Sequence, residues 1–432
     1  MVPKGWCLGN FRSLRISTID GDRGKNYPKK DDYLTNGYAL FLGADNINSG
    51  SLTLDKCIFI SKEKHDAMNK GIVKDEDILL VMRGNGTGRS CIYINRMKHQ
   101  AARINSGLVI IRNTPEFTDV NFLHQLMQSS FIQKQFLSFM FGSAQPQLTI
   151  QLLNSLIIPA PPLVEQKKIA QILSTWDKAI SVTEKLLANS QQQKKALMQQ
   201  LLTGKKRLLD DKRARFSGEW KPLSLQIMAE IIVSPVDKKT EADEIPVELC
   251  NYTDVYYNNV ITNNINFMKA TATKAEIEKY TLKKGDVIIT KDSETPGDIA
   301  IPALVSENLN GVVCGYHLAI IRPRSKFVIG AFLNYLFSMQ KTRYYFFTLA
   351  TGATRFGLSV GGINHAHFNI PDIVEQQKIA EVLSAADAEI STLEKKLTCL
   401  KDEKKALMQQ LLTGKRRVSV PVKVEEKEAV SA

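Results

Sequence analysis

The side chains of this sequence that could do chemistry sit in short polar turns. RGNGTGR, at 83–89, is the first of them. A glycine-rich loop after a strand can cradle a phosphate or a nucleotide, provided a helix follows. Here SCIYINR follows, which reads as a strand, and the chain has no GKS or GKT of a P-loop. A glycine-rich hairpin, a DNA-contacting loop and a cofactor loop are the three readings. As a DNA loop it offers Arg83 and Arg89 to guanine or phosphate, Asn85 to adenine and Thr87 as a further polar contact. The equivalent place in the second half is KDSETPGD, at 291–298, with Lys291 and Ser293 as the matching candidates.

A second pair of turns aligns at an offset of 210 residues: GSAQPQLT at 142–149 and GATRFGLS at 352–359. Gln145 and Gln147 in the first, against Thr354 and Arg355 in the second, is the exchange that two different base readers would show. Two unrelated surface loops explain it as well. KNYPKK, at 25–30, places Lys25, Lys29 and Lys30 around a tyrosine, which suits phosphate contact or a solvated loop. RYYFF, at 343–347, reads as helix core rather than a stacking platform. His365 and His367 lie two apart with no companion Cys or acidic cluster, so no metal is expected. Asp286 and Lys291 are an ordinary pair for a strand, and no Asn-Pro-Pro-aromatic tetrapeptide of adenine methyltransferases occurs. Cys7, Cys57, Cys91, Cys250, Cys314 and Cys399 are scattered without a CxxC pair, the pattern of free thiols in a reducing cytoplasm. No cofactor is expected.

These turns hang on strands followed by helices. GYALFLGADNI, CIFISKE, DILLVMRG, SCIYINR and SGLVIIRN are strand-like in the first half, and KGDVIITKD, GDIAIPALV and YHLAIIRP match the last three in the second. Helical stretches follow in each half at 117–142 and 327–352. Strands and then helices indicate an α+β class.

The same long helix then occurs twice. KKALMQQLLTGK stands at 194–205 and again at 404–415, and residues 165–208 agree with 375–418 at 26 of 44 positions. Each copy starts after prolines and ends at a glycine followed by basic residues, which satisfies the carbonyl end and complements the helix dipole. The apolar positions in the first are Ile169, Ile172, Trp176, Ile180, Leu187, Leu197 and Leu201, with Thr183 in step. In the second they are Ile379, Val382, Ala386, Ile390, Leu393, Leu397, Leu400, Leu407 and Leu411. Steps of three and four are the spacing of a coiled-coil seam, interrupted by the polar NSQQQKK of the first copy. Run antiparallel, the helices would relate the two halves by an approximate two-fold axis. At 1.5 Å per residue they form a rod roughly 58 Å long, comparable to about 17 base pairs.

The expected domains are 1–163, the helix 164–208, a second domain 209–373, the helix 374–418 and a disordered tail 419–432. The 432 residues carry a net charge of +13, which suits a polyanion partner. The charge is uneven: 19 basic against 13 acidic residues in 1–163 and 9 against 3 in 164–208, but 18 against 18 in 209–373. The N-terminal residues lack a secretory apolar region, and no apolar run approaches the ~20 residues of a membrane span. A cytoplasmic location is expected.

Two unlike blocks, each followed by a shared helix carrying xPxxxEQKKIAxxLxxxD and KKALMQQLLTGKxR, resemble the specificity subunit of type I restriction–modification systems. PKGW near Trp6 and GEW near Trp220, at the start of each half, extend the resemblance over residues 2–418. The resemblance implies two target recognition domains, each reading half of a split double-stranded DNA sequence. It implies helices that fix the spacer and dock two modification subunits, which bind S-adenosylmethionine and methylate adenine. Separate restriction subunits would use ATP and cut, and the specificity subunit would not itself catalyse. Unlike blocks imply a non-palindromic target. A single-chain methyltransferase using RGNGTGR and a coiled-coil scaffold without a nucleic-acid role are the competing readings.

Overall fold

The strand Ile78–Val81 is buried at every position, and so is Val287–Thr290. An apolar strand without alternation needs cover on both faces. Ile78 and Leu80 join Val109, Ile111, Phe122 and Leu126 in one core, while Leu79 and Val81 join Leu108, Ile110, Leu40 and Leu42 in another. The second copy repeats this. Val287 and Ile289 pack with Phe332 and Leu336, and Ile288 packs with Leu249 and Val313. Each domain is therefore a sheet held between helices on one face and a smaller three-stranded sheet on the other.

The computed structural model describes residues 2–48, 50–84, 86–95, 101–140, 147–309 and 311–419. Asn85, Gln145 and the tail 420–432 lie outside the described residues. The chain forms two units, residues 1–184 with 395–432, and residues 185–394. In the first, the order of the main sheet is Ser17–Asp20, Leu108–Arg112, Ile78–Val81, Ser90–Ile92, all antiparallel neighbours. In the second it is Ala229–Val233, Leu318–Pro323, Val287–Thr290, Pro302–Val305, Val260–Ile261. The smaller sheets share a parallel pairing, Leu42↔Ile104 in one domain and Cys250↔Cys314 in the other. The segments around Pro159 and Pro371, just ahead of the long helices, are strands: Ile158–Ala160 pairs with Cys7–Gly9, and His367–Ile370 with Lys221–Ser224.

The long helices are Leu163–Leu201 and Ile373–Leu411, 39 residues each. Gly204 and Gly414 sit at φ of 70° and 73°, and Lys206 N donates to Gln200 O at 3.1 Å, the six-residue closure of a glycine C-cap. A strict four–three alternation of inward positions runs Ile169, Leu173, Trp176, Ile180, Thr183, Leu187, Ser190, Lys194, Leu197, Leu201, each at least half-buried. Its equivalent runs Ile379, Leu383, Ala386, Ile390, Leu393, Leu397, Leu400, Lys404, Leu407, Leu411. Ile172 and Val382 are one residue off this line. They are half-buried and lie in the same apolar clusters as the fully buried Leu173 and Leu383. NSQQQKK does not leave the seam: Ser190 and Lys194 occupy inward positions there.

Inside each unit the two helices run antiparallel, and the shared motifs explain why both copies are needed. In the first unit Arg417, from the end of one helix, donates to the buried Glu165 at the start of the other: Nε to Oε1 at 2.9 Å and Nη2 to Oε2 at 2.7 Å. Trp6 Nε1 adds a bond to Oε2 at 3.1 Å. In the second unit Arg207 donates to Glu375 through Nε and Nη2, both at 2.5 Å, and Trp220 Nε1 joins at 3.3 Å. Further along, Asp177 accepts from Lys404 Nζ at 2.6 Å and from Gln125 Nε2 at 2.5 Å. Its counterpart Asp387 pairs with Lys194 and accepts from Tyr335 OH at 2.7 Å. The arginine and first lysine of each KKALMQQLLTGKxR thus bind the glutamate and aspartate of the other copy's EQxKIAxxLxxxD. Gln125 and Tyr335 tie a domain helix to each junction.

Candidate nucleic-acid interface

RGNGTGR joins two antiparallel neighbours, Ile78–Val81 and Ser90–Ile92, as a glycine-rich hairpin turn. Gly84, Gly86 and Gly88 all have positive φ, at 80°, 106° and 88°, a backbone that side chains resist. Thr87 Oγ1 donates to Gly84 O at 2.8 Å, and Arg89 Nε reaches back to Gly86 O at 3.4 Å, so both brace the turn. Arg83 is exposed and forms a bridge with exposed Gln147, and Leu148 N donates to Met82 O at 2.9 Å. The structure therefore brings the two candidate turns of the first domain together. Tyr27 of KNYPKK reaches the next turn, accepting from Ser106 N at 3.2 Å, and Met82 N donates to Gly107 O at 2.9 Å. Lys25, Lys29 and Lys30 are exposed on that loop.

The second domain builds the same place with other chemistry. Lys291 N donates to His317 O at 2.9 Å and Leu358 N to Lys291 O at 3.0 Å, which makes Lys291 the counterpart of Met82 and Asp292 the counterpart of Arg83. Asp292 pairs with Gly357 as Arg83 does with Gln147. An arginine in one domain thus stands where the other has an aspartate. Lys291, expected to meet DNA, is half-buried and held by Asp292, with Nζ 2.6 and 2.7 Å from the two oxygens. It offers no free charge. His317 Nδ1 lies 3.3 Å from Asp292 Oδ2. Burial lowers the His317 pKa, the Asp292 bond opposes that, and nearby Arg355 adds to the lowering. Ser293 is buried, its Oγ 3.2 Å from Tyr252 OH. Thr354 and Arg355 are exposed at the tip of the adjoining turn.

Tyr252, Asp292 and His317 were missed because they are far apart in sequence and meet only through strand pairing; Asp292 alone lay inside a quoted motif. RYYFF divides: Phe346 is fully buried, but Tyr344 is 67% exposed and Phe347 43%, because a helix on a sheet buries one stripe only. GLSVG, at 357–361, has the spacing Gly-x-Ser-x-Gly. Ser359 there caps the helix Val360–Asn364, its Oγ accepting from Gly362 N at 3.0 Å. Among the described residues no group of three metal-ligating side chains occurs, and no helix is long and apolar enough to cross a membrane.

Residues 16–189 and 218–401 each match the family model of the type I restriction modification DNA specificity domain. The type I restriction enzyme MjaVIII specificity subunit of Methanocaldococcus jannaschii is 24% identical over 441 residues, covering 96% of this chain and 94% of that one. The EcoKI specificity subunit of Escherichia coli K12 is 22% identical over 405 residues, 92% and 85% of the two chains. The crystal structure of the type I restriction–modification S subunit from M. genitalium superposes with a TM-score of 0.57 at 15% identity, over 95% and 96% of the two chains.

Proposed function

The chain belongs to the family of type I restriction modification DNA specificity domains, of which it carries two copies, and from this we propose how it reads DNA. It is a specificity subunit. Each domain reads one half of a bipartite, non-palindromic double-stranded site. The helix pair sets the spacer and docks two modification subunits, through which ATP-dependent restriction subunits join. The chain itself carries out no catalytic step.

One observation carries the reading: a single scaffold occurs twice and presents Arg83 with Gln147 in one copy but Asp292 with Gly357 in the other. A scaffold with no reading role gives no reason for that divergence at matched positions. Arginine forks onto guanine, whereas aspartate accepts from cytosine. Aspartate in place of arginine at this position accounts for two of the six charges by which the first domain exceeds the second, and Asp292 also pairs with Lys291. Replacing residues 1–163 by the block of another specificity subunit, and mapping methylated adenines made by the assembled complex, tests this. One half of the target should change and the other half persist. An unchanged target would leave the scaffold reading, and S-adenosylmethionine binding by the isolated chain would favour the methyltransferase reading.

A further inference from the structure

In the second domain a cavity of about 310 Å³ opens beside the Asp292 turn, lined by Lys238, Asn251, Tyr252, Thr253, Tyr316 and His317 among others. Its walls are fixed by the parallel strand pair that both domains share. Asn105 N donates to Leu42 O at 2.8 Å in the first domain, and Gly315 N to Cys250 O at 2.9 Å in the second. By that register Gly43 answers to Asn251, Ala44 to Tyr252, Ser106 to Tyr316 and Gly107 to His317. In the first domain these places hold small residues, with Tyr27 laid against Ser106. In the second they hold an amide, two phenols and an imidazole around open space. Among the described residues, neither the Lys238 ammonium nor the Tyr316 hydroxyl has a hydrogen-bond partner, and Tyr316 is 38% exposed.

We infer that this cavity is the base-reading slot of the second domain, that Asn251 reads an adenine edge in it and that Lys238 holds the adjoining phosphate. A carboxamide offers one donor and one acceptor side by side, the complement of what adenine shows on its major-groove edge. The phenol rings of Tyr252 and Tyr316 give the slot flat apolar walls, and Lys238 supplies the backbone charge that the Lys291–Asp292 pair withholds. Divergence at positions of matched strand register is what two readers on one scaffold require.

The inference rests on the proposed function, and its test separates the two. The full chain, assembled with its modification subunits, selects from duplexes randomised in both half-sites. Asn251→Ala should relax discrimination at one A·T pair of the second half-site, roughly 5- to 150-fold, and leave the first half-site intact. Tyr316→Ser, on an exposed turn, should weaken the same pair and decides the case if Asn251→Ala, at a helix N-cap, fails to fold. Lys238→Ala should lower affinity evenly across sequences and reduce the slope of log K against log salt by about 0.9. If the folded variants relax no A·T pair of the second half-site, the slot is not a reader, although the exchange of residues 1–163 still alters the first. If that exchange alters nothing, the reading of the whole protein falls with it.

Discussion

Arg207 and Glu375 test the crosswise pairing of the two helix motifs. The Glu375 side chain is almost wholly buried, and two of its three hydrogen bonds come from Arg207 at 2.5 Å. Trp220 Nε1, at 3.3 Å, is the third. Truncating Arg207 to alanine leaves a buried carboxylate with one weak donor. Breaking a buried pair from one side costs about 3–5 kcal/mol, because the remaining charge is uncompensated. Arg207 keeps a fifth of its side-chain surface, so about 3 kcal/mol is expected. Removing both charges, as Arg207→Met with Glu375→Leu, should recover most of this loss, since a buried pair replaced by apolar groups is often near neutral. Denaturant unfolding followed by tryptophan fluorescence measures it, with Trp6 and Trp176 changed to phenylalanine so that Trp220 alone reports. A loss below about 1 kcal/mol for Arg207→Ala would refute the reasoning. So would a double variant as unstable as the single one. Arg417→Ala should cost less, because Arg417 is half-exposed beside Glu165.

Three further outcomes follow from the structure. Burial pushes His124 down to about 4 from 6.5, so between these values the unfolded chain binds more protons than the folded one. The stability from neutral His124 is whole above pH 6.5 and lost as pH falls toward 4, about 3 kcal/mol in all; His124→Asn, the residue of Asn334 at the equivalent place, should flatten that slope in unfolding curves taken from pH 7 to 4. Gly414→Ala should lower the melting temperature more than Gly204→Ala, because a Cβ at Gly414 would meet Pro3 Cδ at 2.5 Å whereas one at Gly204 would lie 3.4 Å from Trp220, at similar positive φ. Neutralising Lys25, Lys29, Lys30 and Arg83 should flatten the salt dependence of DNA binding by close to 0.9 per charge lost, more than neutralising Lys291 and Arg355; equal slopes would contradict the charge assignment of the two domains.

The amino-acid sequence determined what depends on near neighbours. Prolines before each long helix, glycines after it and apolar residues at three- and four-residue steps act within one or two turns, so the length and ends of Leu163–Leu201 and Ile373–Leu411 were legible, as was their repetition. The apolar runs DILLVMRG and KGDVIITKD read as strands for the same reason. Ile172 and Leu173 are both apolar neighbours, and only the folded chain shows that Leu173 is the fully buried one and Ile172 half-buried. What the tertiary structure alone decided is who meets whom across long separations. Arg207 finds Glu375 168 residues away, and Lys404 finds Asp177 across 227. Asp292 became the counterpart of Arg83 only once strand register set both beside the same neighbouring turns, His317 and Gly107. Register is fixed by which face of every strand can be buried at once, a condition on the whole sheet that no local stretch of residues contains.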